Sequence, residues 1–423
     1  MCSSGTRSRP GRACSRSVTR RSRSSQRPGR GPGTAATADL RPRRRRPPSR
    51  STELSPCAQV AARPKGTAGA DAGRARRSLC LGAAALSAPR DVVRVPALSD
   101  GGGRMSDVTR VAAIDCGTNS IRLLVADVAS DGTLTDLVRR MEVVRLGAGV
   151  DRTGVLDPVA LARTLEMTRD YAATIARLGA ERVRFVATSA TRDARNRQEF
   201  VDGVREILGV EPEVVAGAEE ARLSFSGATS VIGDGHEAPY VVVDLGGGST
   251  ELVLGTEVPA GEFSMDVGCV RMTERHLVSD PPTAEQVAAA RADVRAALDV
   301  AEAHVDLGAA RTLVGLAGTV TTVTAHALRL PAYDRDAING AVLPVDVVLA
   351  ACEDLLTMPR EERAALGFMH PGRVDVIAAG ALVWSEVVAR VAQRVAERGG
   401  VLADVLTSEH DILDGIALSA ARA

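Results

Sequence analysis

Ile114-Asp115-Cys116-Gly117-Thr118-Asn119-Ser120-Ile121-Arg122-Leu123 returns, with substitutions, as Val243-Asp244-Leu245-Gly246-Gly247-Gly248-Ser249-Thr250-Glu251-Leu252. In each copy a β-rich apolar run ends at an aspartate, a loop of small residues follows, and a second apolar run leaves. That order reads as strand, phosphate-binding loop, strand. Two such loops facing each other would clamp a polyanion.

Around this repeat the coarse pattern is also duplicated. Residues 109–115, 121–128 and about 134–145 read as strands, and Asp157-Pro158 caps a helix that closes near Gly179. A buried-strand run at 183–188, a helix at 198–208 and a short strand at 213–216 complete the first half. In the second half, 240–244, 250–255 and about 262–267 are strands, 284–304 is a helix and 312–316 a strand, with a helical remainder expected from Val320. Three strands followed by alternating helix and strand, twice over, is an α/β, duplicated ribonuclease-H-like plan, that of the actin-like ATPases. The expected boundaries are 105–235 for one domain, with a helix at 410–423 packing back on it, and 236–409 for the other. Substrate would lie in the cleft between them.

The net charge of +1 conceals two unlike segments. Residues 1–104 carry 22 Arg and one Lys against five acids, about +18, whereas 105–423 carry 30 Arg against 47 acids, about −17. The first segment has too little apolar periodicity to bury a core and is expected to be disordered. Its charge suits a nucleic-acid arm, its Arg and Ser content a transit peptide; a start misassigned upstream of Met105-Ser106-Asp107 is the favoured reading. No nucleic-acid partner is expected for the acidic body, and no apolar run reaches the length of a membrane helix. Cys116, Cys269 and Cys352 are far apart without C-x-x-C spacing, which fits reduced thiols in a cytoplasmic protein.

What the body can do chemically is narrowed by what it lacks. Lys65 is the only lysine and precedes the body, so a Walker A loop and a Schiff-base lysine are both excluded. Phosphate must therefore be held by backbone amides and arginine. Glycines without Cβ at 246–248 can approach a phosphate closely and adopt positive φ, with Ser249 and the Asn119 amide as added donors. Asp115, Asp244 and Glu251, at strand ends beside the loops, have oxygen ligands suited to Mg²⁺. Glu219-Glu220 open a helix, either as acids complementing its dipole or as a general base that deprotonates water. Arg192, just past a strand end, is the candidate grip on a phosphoryl group, with Arg195 and Arg197 equal to it by charge alone.

Seven stretches together resemble the Ppx/GppA phosphatases, the exopolyphosphatases and guanosine pentaphosphate phosphohydrolases of the actin-like superfamily. They are Ala113 to Ser120, Ala187 to Asn196, Gly217 to Ala221, Asp244 to Leu252, Gly268-Cys269-Val270, Gly315 to Thr319 and Asp411 to Gly415. The resemblance implies that Glu220 is the catalytic base and that Arg192 binds the terminal phosphate. It implies that Gly117, Thr118, Asn119 and Ser120 with Gly246, Gly247, Gly248 and Ser249 hold the chain, and that Asp244 with Glu251 serves magnesium. Ending at Ala423, the chain resembles the short two-domain actinobacterial type, without the HD-type helical domain of longer members, which puts processivity on long chains in doubt. The substrate would be inorganic polyphosphate, with guanosine pentaphosphate as the alternative. An ATPase or phosphotransferase of the same superfamily, or an inactive binding module, ranks below both. Family members are often dimers, so a homodimer is consistent with the resemblance.

Overall fold

The structure, a computed structural model, describes residues 108–233 and 235–422. The disorder expected for 1–104 and the start at Met105 lie outside the described residues. The first sheet is built from β1 (Thr109–Cys116), β2 (Ser120–Val128) and β3 (Leu134–Val143) as an antiparallel meander, followed by β4 (Arg182–Ala187) and β5 (Glu213–Val214), both parallel to β1. Its order is β3-β2-β1-β4-β5. Helices α1 (Val150–Thr153), α2 (Pro158–Leu178), α3 (Ser189–Asp193) and α4 (Arg197–Leu208) lie between its strands in sequence, and α5 (Gly217–Thr229) leads onward.

The second sheet repeats the plan. β6 (Tyr240–Leu245), β7 (Thr250–Gly255) and β8 (Pro259–Met265) form the meander, α6 (Cys269–Arg275) and α7 (Ala284–Ala301) follow, and β9 (Thr312–Leu316) lies parallel to β6. Then come α8 (Ala317–Ala327), α9 (Arg335–Ile338), β10 (Val342–Pro344), α10 (Val345–Thr357), α11 (Arg360–Ala365), α12 (Ile377–Glu397), β11 (Asp404–Thr407) and α13 (Ile412–Arg422). Read from β8 the order is β8-β7-β6-β9-β11-β10, the first sheet's plan with one added edge strand. The helical remainder expected after Val320 is therefore corrected: it holds two strands. β10 ends in proline and runs straight into the apolar start of α10, and β11 lies in a stretch that reads as helical, so neither stands out as a strand.

Alternation along β1 shows why both faces of the sheet are covered. Ala112 and Ile114 point into a core shared with Tyr171 and Ile175 of α2 and Phe200 and Val204 of α4. Val111 and Ala113 point the other way, against Leu223 of α5 and Ile412, Leu413 and Ile416 of α13. On the second sheet, Val242, Val253 and Val314 pack on Ala221, Phe225 and Ala228 of α5. Helix α5 thus touches both sheets. Its crossing with α13 is tight because glycines face each other's backbone: a Cβ on Gly415 would lie 2.0 Å from the Leu223 carbonyl oxygen, and one on Gly227 1.9 Å from that of Asp411.

Candidate active site

The two loops are built alike. Gly117 N–H donates to the Ser120 carbonyl and Gly246 N–H to the Ser249 carbonyl, each at 3.0 Å, closing a tight turn between β1 and β2 and between β6 and β7. In both, neighbouring backbone draws the carbonyls away. Thr118 O accepts from Gly147 N–H (2.9 Å), and Asn119 O from Val144 and Arg145 N–H (3.1 and 2.8 Å). Gly246 O accepts from Cys269 N–H (3.0 Å), and Gly247 O from Val270 and Arg271 N–H (2.8 and 3.1 Å), at the start of α6. Because C=O and N–H of a trans peptide point oppositely, each tied carbonyl aims the next residue's N–H the other way. The amides so aimed belong to Asn119 and Ser120 in the first loop and to Gly247 and Gly248 in the second.

The loops also touch. Thr118 Oγ1 and Ser189 Oγ are hydrogen-bonded at 2.8 Å, and a Cβ on Gly248 would lie 2.6 Å from both oxygens. None of Gly246, Gly247 and Gly248 has a positive φ. Close approach, and not a left-handed backbone, is what requires glycine here, which corrects the sequence expectation.

A cavity of about 110 Å³ lies between the halves. Asp115, Gly117, Thr118, Asn119 and Ser120 line it from the first half, Asp244, Gly246, Gly247 and Ser249 from the second, and Glu220 from α5. Three of the residues singled out in the sequence stand just outside it: Gly248, in the loop contact; Glu251, buried on β7; and Arg192, on α3 beside Glu220.

Glu220 and Glu219 are separated by the helix turn. Glu219 is 42% exposed and faces Arg184 at 3.6 Å. Glu220 is buried and accepts from Arg192 Nη1 at 2.9 Å, while the same nitrogen donates to the Val215 carbonyl at 3.1 Å. Burial pushes the Glu220 carboxyl from 4.5 up to about 7, against the pull of Arg192. Arg195 instead donates to the Thr153 carbonyl (2.9 Å) at an exposed position.

The other acids are also desolvated. Asp244 is pushed to about 6 by burial and then by the charge of Asp411, and Ser224 Oγ donates to it at 2.6 Å. Burial and then Glu220 hold Glu251 well above its ordinary range, although Ser264 Oγ donates to it at 2.7 Å. Asp115 is raised by burial against the opposing Arg122, whose Nε and Nη2 reach its Oδ2 at 2.9 and 2.7 Å. Arg122 also pairs with Asp411 on its other side. It lines the cavity, yet its position inside an apolar strand gave no separate signal in the sequence. Among the described residues no three His, Cys, Asp or Glu side chains converge as a ready cage for a metal ion.

Beyond Arg122, Met141, Gly318 and Arg373 a second cavity of about 430 Å³ opens, sharing those residues and bounded by Tyr333, Phe368 and His370 with Arg139 and Arg140. His370 Nδ1 accepts from Gly372 N–H at 3.1 Å within the turn that precedes α12.

Two ribonuclease-H-like halves, each offering an amide-lined loop to one acid-lined cavity, define a phosphate-handling protein of the actin-like class. The chain belongs to the Ppx/GppA phosphatase family, whose sequence model matches residues 124–409. It is 53% identical over 323 residues to Exopolyphosphatase 2 of Mycobacterium tuberculosis, covering 74% of this chain and 99% of that one. The crystal structure of an exopolyphosphatase-like protein is 48% identical with a TM-score of 0.72, covering 74% and 99%. A Ppx/GppA family member of Aquifex aeolicus is 30% identical with a TM-score of 0.60, covering 74% and 97%.

Proposed function

We propose that the protein is a phosphoanhydride hydrolase that removes the terminal phosphate of inorganic polyphosphate as orthophosphate. The single observation that carries this reading is a buried glutamate with a carboxyl near neutrality on the cavity where both loops meet. The 53% identical relative, named an exopolyphosphatase, supports polyphosphate as the substrate.

Glu220 accepts a proton from water as the water oxygen bonds to the end phosphorus, and the bridging P–O bond breaks in line. The bridging oxygen leaves on a chain one phosphate shorter. Arg192 orients Glu220 and keeps the rest of its fork for the phosphoryl oxygens. The amides of Asn119, Ser120, Gly247, Gly248 and Ser249 stabilise the charge that develops on those oxygens. The first cavity is below the usual size of a ligand pocket, so it takes the reacting end while the rest of the chain lies in the second.

The charged groups that could ligate an ion here are carboxylates, and the Cys269 thiol on the same wall is kept protonated by burial, which suits Mg²⁺ better than a softer ion. Because no three side chains converge, one or two of Asp115, Asp244 and Glu251 would hold the ion, with substrate oxygens and water completing its shell. When bound, the ion supplies charge neutralisation that lets an acidic body take a polyanion. A cytoplasmic setting fits the free thiols of Cys116, Cys269 and Cys352, and among the described residues no helix is long and apolar enough to cross a membrane.

One observation favours guanosine pentaphosphate as a second substrate: the larger cavity has an aromatic and imidazole wall at Tyr333, Phe368 and His370, where a base could stack beside Arg139 and Arg373. Phosphate release from short polyphosphate, long polyphosphate, guanosine pentaphosphate and ATP, each with Mg²⁺ and again after chelation, separates these readings. Release from polyphosphate that falls at least tenfold on chelation is expected. Equal inactivity on all four would contradict a hydrolase and favour a binding module.

A further inference from the structure

The carbonyl of Gly248 is held differently from those of Gly246 and Gly247. Backbone N–H groups at the start of α6 take the first two, whereas Gly248 O accepts from a side chain, Arg271 Nε, at 2.7 Å. The same guanidinium donates through Nη1 to Asp151 at 2.7 Å and through Nη2 to Asp193 at 2.5 Å. Asp151 lies on α1 and Asp193 ends α3, both in the first half, while Arg271 belongs to the second. Helix α3 also carries Arg192, which holds Glu220. The Arg271 side chain is only 11% exposed.

One planar fork therefore fastens the second loop to two helices of the other half: α3, which positions the base, and α1. Arg275 adds a tie from α6 to Asp151 at 2.8 Å, but it makes no contact with the loop. Gly248 O and Ser249 N–H share a peptide unit, so holding the carbonyl aims that amide oppositely, and Ser249 lines the cavity.

We propose that Arg271 is a positioning residue that makes the aim of the second loop depend on closure of the two halves. When the halves part, Asp151 and Asp193 move off with the first half and the guanidinium loses two of its three anchors. Gly248 is then free to turn, and the Ser249 amide no longer points at the cavity. Closing on a substrate restores the aim at the moment the charge on phosphorus must be stabilised. Lysine cannot substitute, because an ammonium is a point charge without the rigid fork that meets three acceptors at once.

The inference rests on the hydrolase reading, and the test separates the two. In Arg271→Gln and Arg271→Lys, kcat on polyphosphate should fall about tenfold or more while KM changes less, because the loss is of an oriented donor at the transition state. Guanidinium ion at millimolar concentration should restore part of the kcat of Arg271→Ala and none of that of Asp193→Asn. Alongside, spin labels at the exposed positions Val159 and Val278, one on each half, report closure without any turnover, in a chain with Cys2, Cys14, Cys57 and Cys80 replaced by serine. Arg271→Gln should lengthen that distance in the full chain. A kcat within twofold of wild type, or a loss with no guanidinium rescue, would overturn the proposal. If the wild type releases no phosphate, the hydrolase reading has failed, and an unchanged label distance in Arg271→Gln would then overturn the clasp by itself.

Discussion

Replacing Glu220 by glutamine is expected to lower kcat on polyphosphate by about 100- to 10,000-fold while binding is retained, since a general base contributes on the order of that factor. Glutamine keeps the shape of the side chain and can still meet the Arg192 fork through its carbonyl oxygen, so the substitution removes the proton acceptor with little disturbance of packing. The pH profile gives an independent reading. Burial raises the carboxyl to about 7, so the basic form accumulates as pH rises through that value. In the wild type kcat/KM should climb about tenfold per pH unit below neutrality and level off above it. In Glu220→Gln that limb should vanish. A variant with near wild-type turnover, or one whose profile keeps the same limb, would show that another group takes the proton.

The second large effect is on stability. Gly415→Ala should cost about 3 kcal/mol, although alanine is ordinarily the better helix former, because its Cβ would land 2.0 Å from the Leu223 carbonyl oxygen on α5. Backbone, not a flexible side chain, is what would have to move. Helix α5 carries Glu220, and α13 follows directly on Asp411, the partner of Arg122, so a forced separation would loosen the site as well as the core. A melting temperature lower by roughly 5 °C or more is expected by thermal unfolding. An unchanged melting temperature would show that the two helices do not cross in contact.

The strands were legible where an apolar run stood between recognisable turns or helices, down to the short β5 and β9. β1, β2, β6 and β7 each carry an apolar face for a helix layer on either side, and the repeat of Asp and small residues marked the loops between them. Strands β10 and β11 were not legible, because β10 runs straight into the apolar start of α10 and β11 lies in a stretch that reads as helical, and both owe their pairing to β9 and its neighbours. Within the site, the loop glycines stood out by their setting in the chain, whereas only the family resemblance separated Glu220 from Glu219. Arg122 and Arg271 did not stand out: one acts from inside an apolar strand between acids 289 positions apart from it and seven positions before it, the other by bridging elements 78 and 120 positions away. Such roles are created by folding, and spacing along the chain carries no trace of them. The glycines illustrate a subtler limit, since their composition announced a special backbone, but only the contact with Thr118 and Ser189 shows that the requirement is space.

Where solvent oxygen ends up shows whether water is aimed at the end phosphorus. Polyphosphate of defined length is hydrolysed in water enriched in heavy oxygen, and the products are read by mass spectrometry. If amide-lined loops hold the chain end while Glu220 directs water at the last phosphorus, each orthophosphate released carries one heavy oxygen and the shortened chain carries none. Heavy oxygen on the end of the remaining chain, or release of internal fragments, would contradict it.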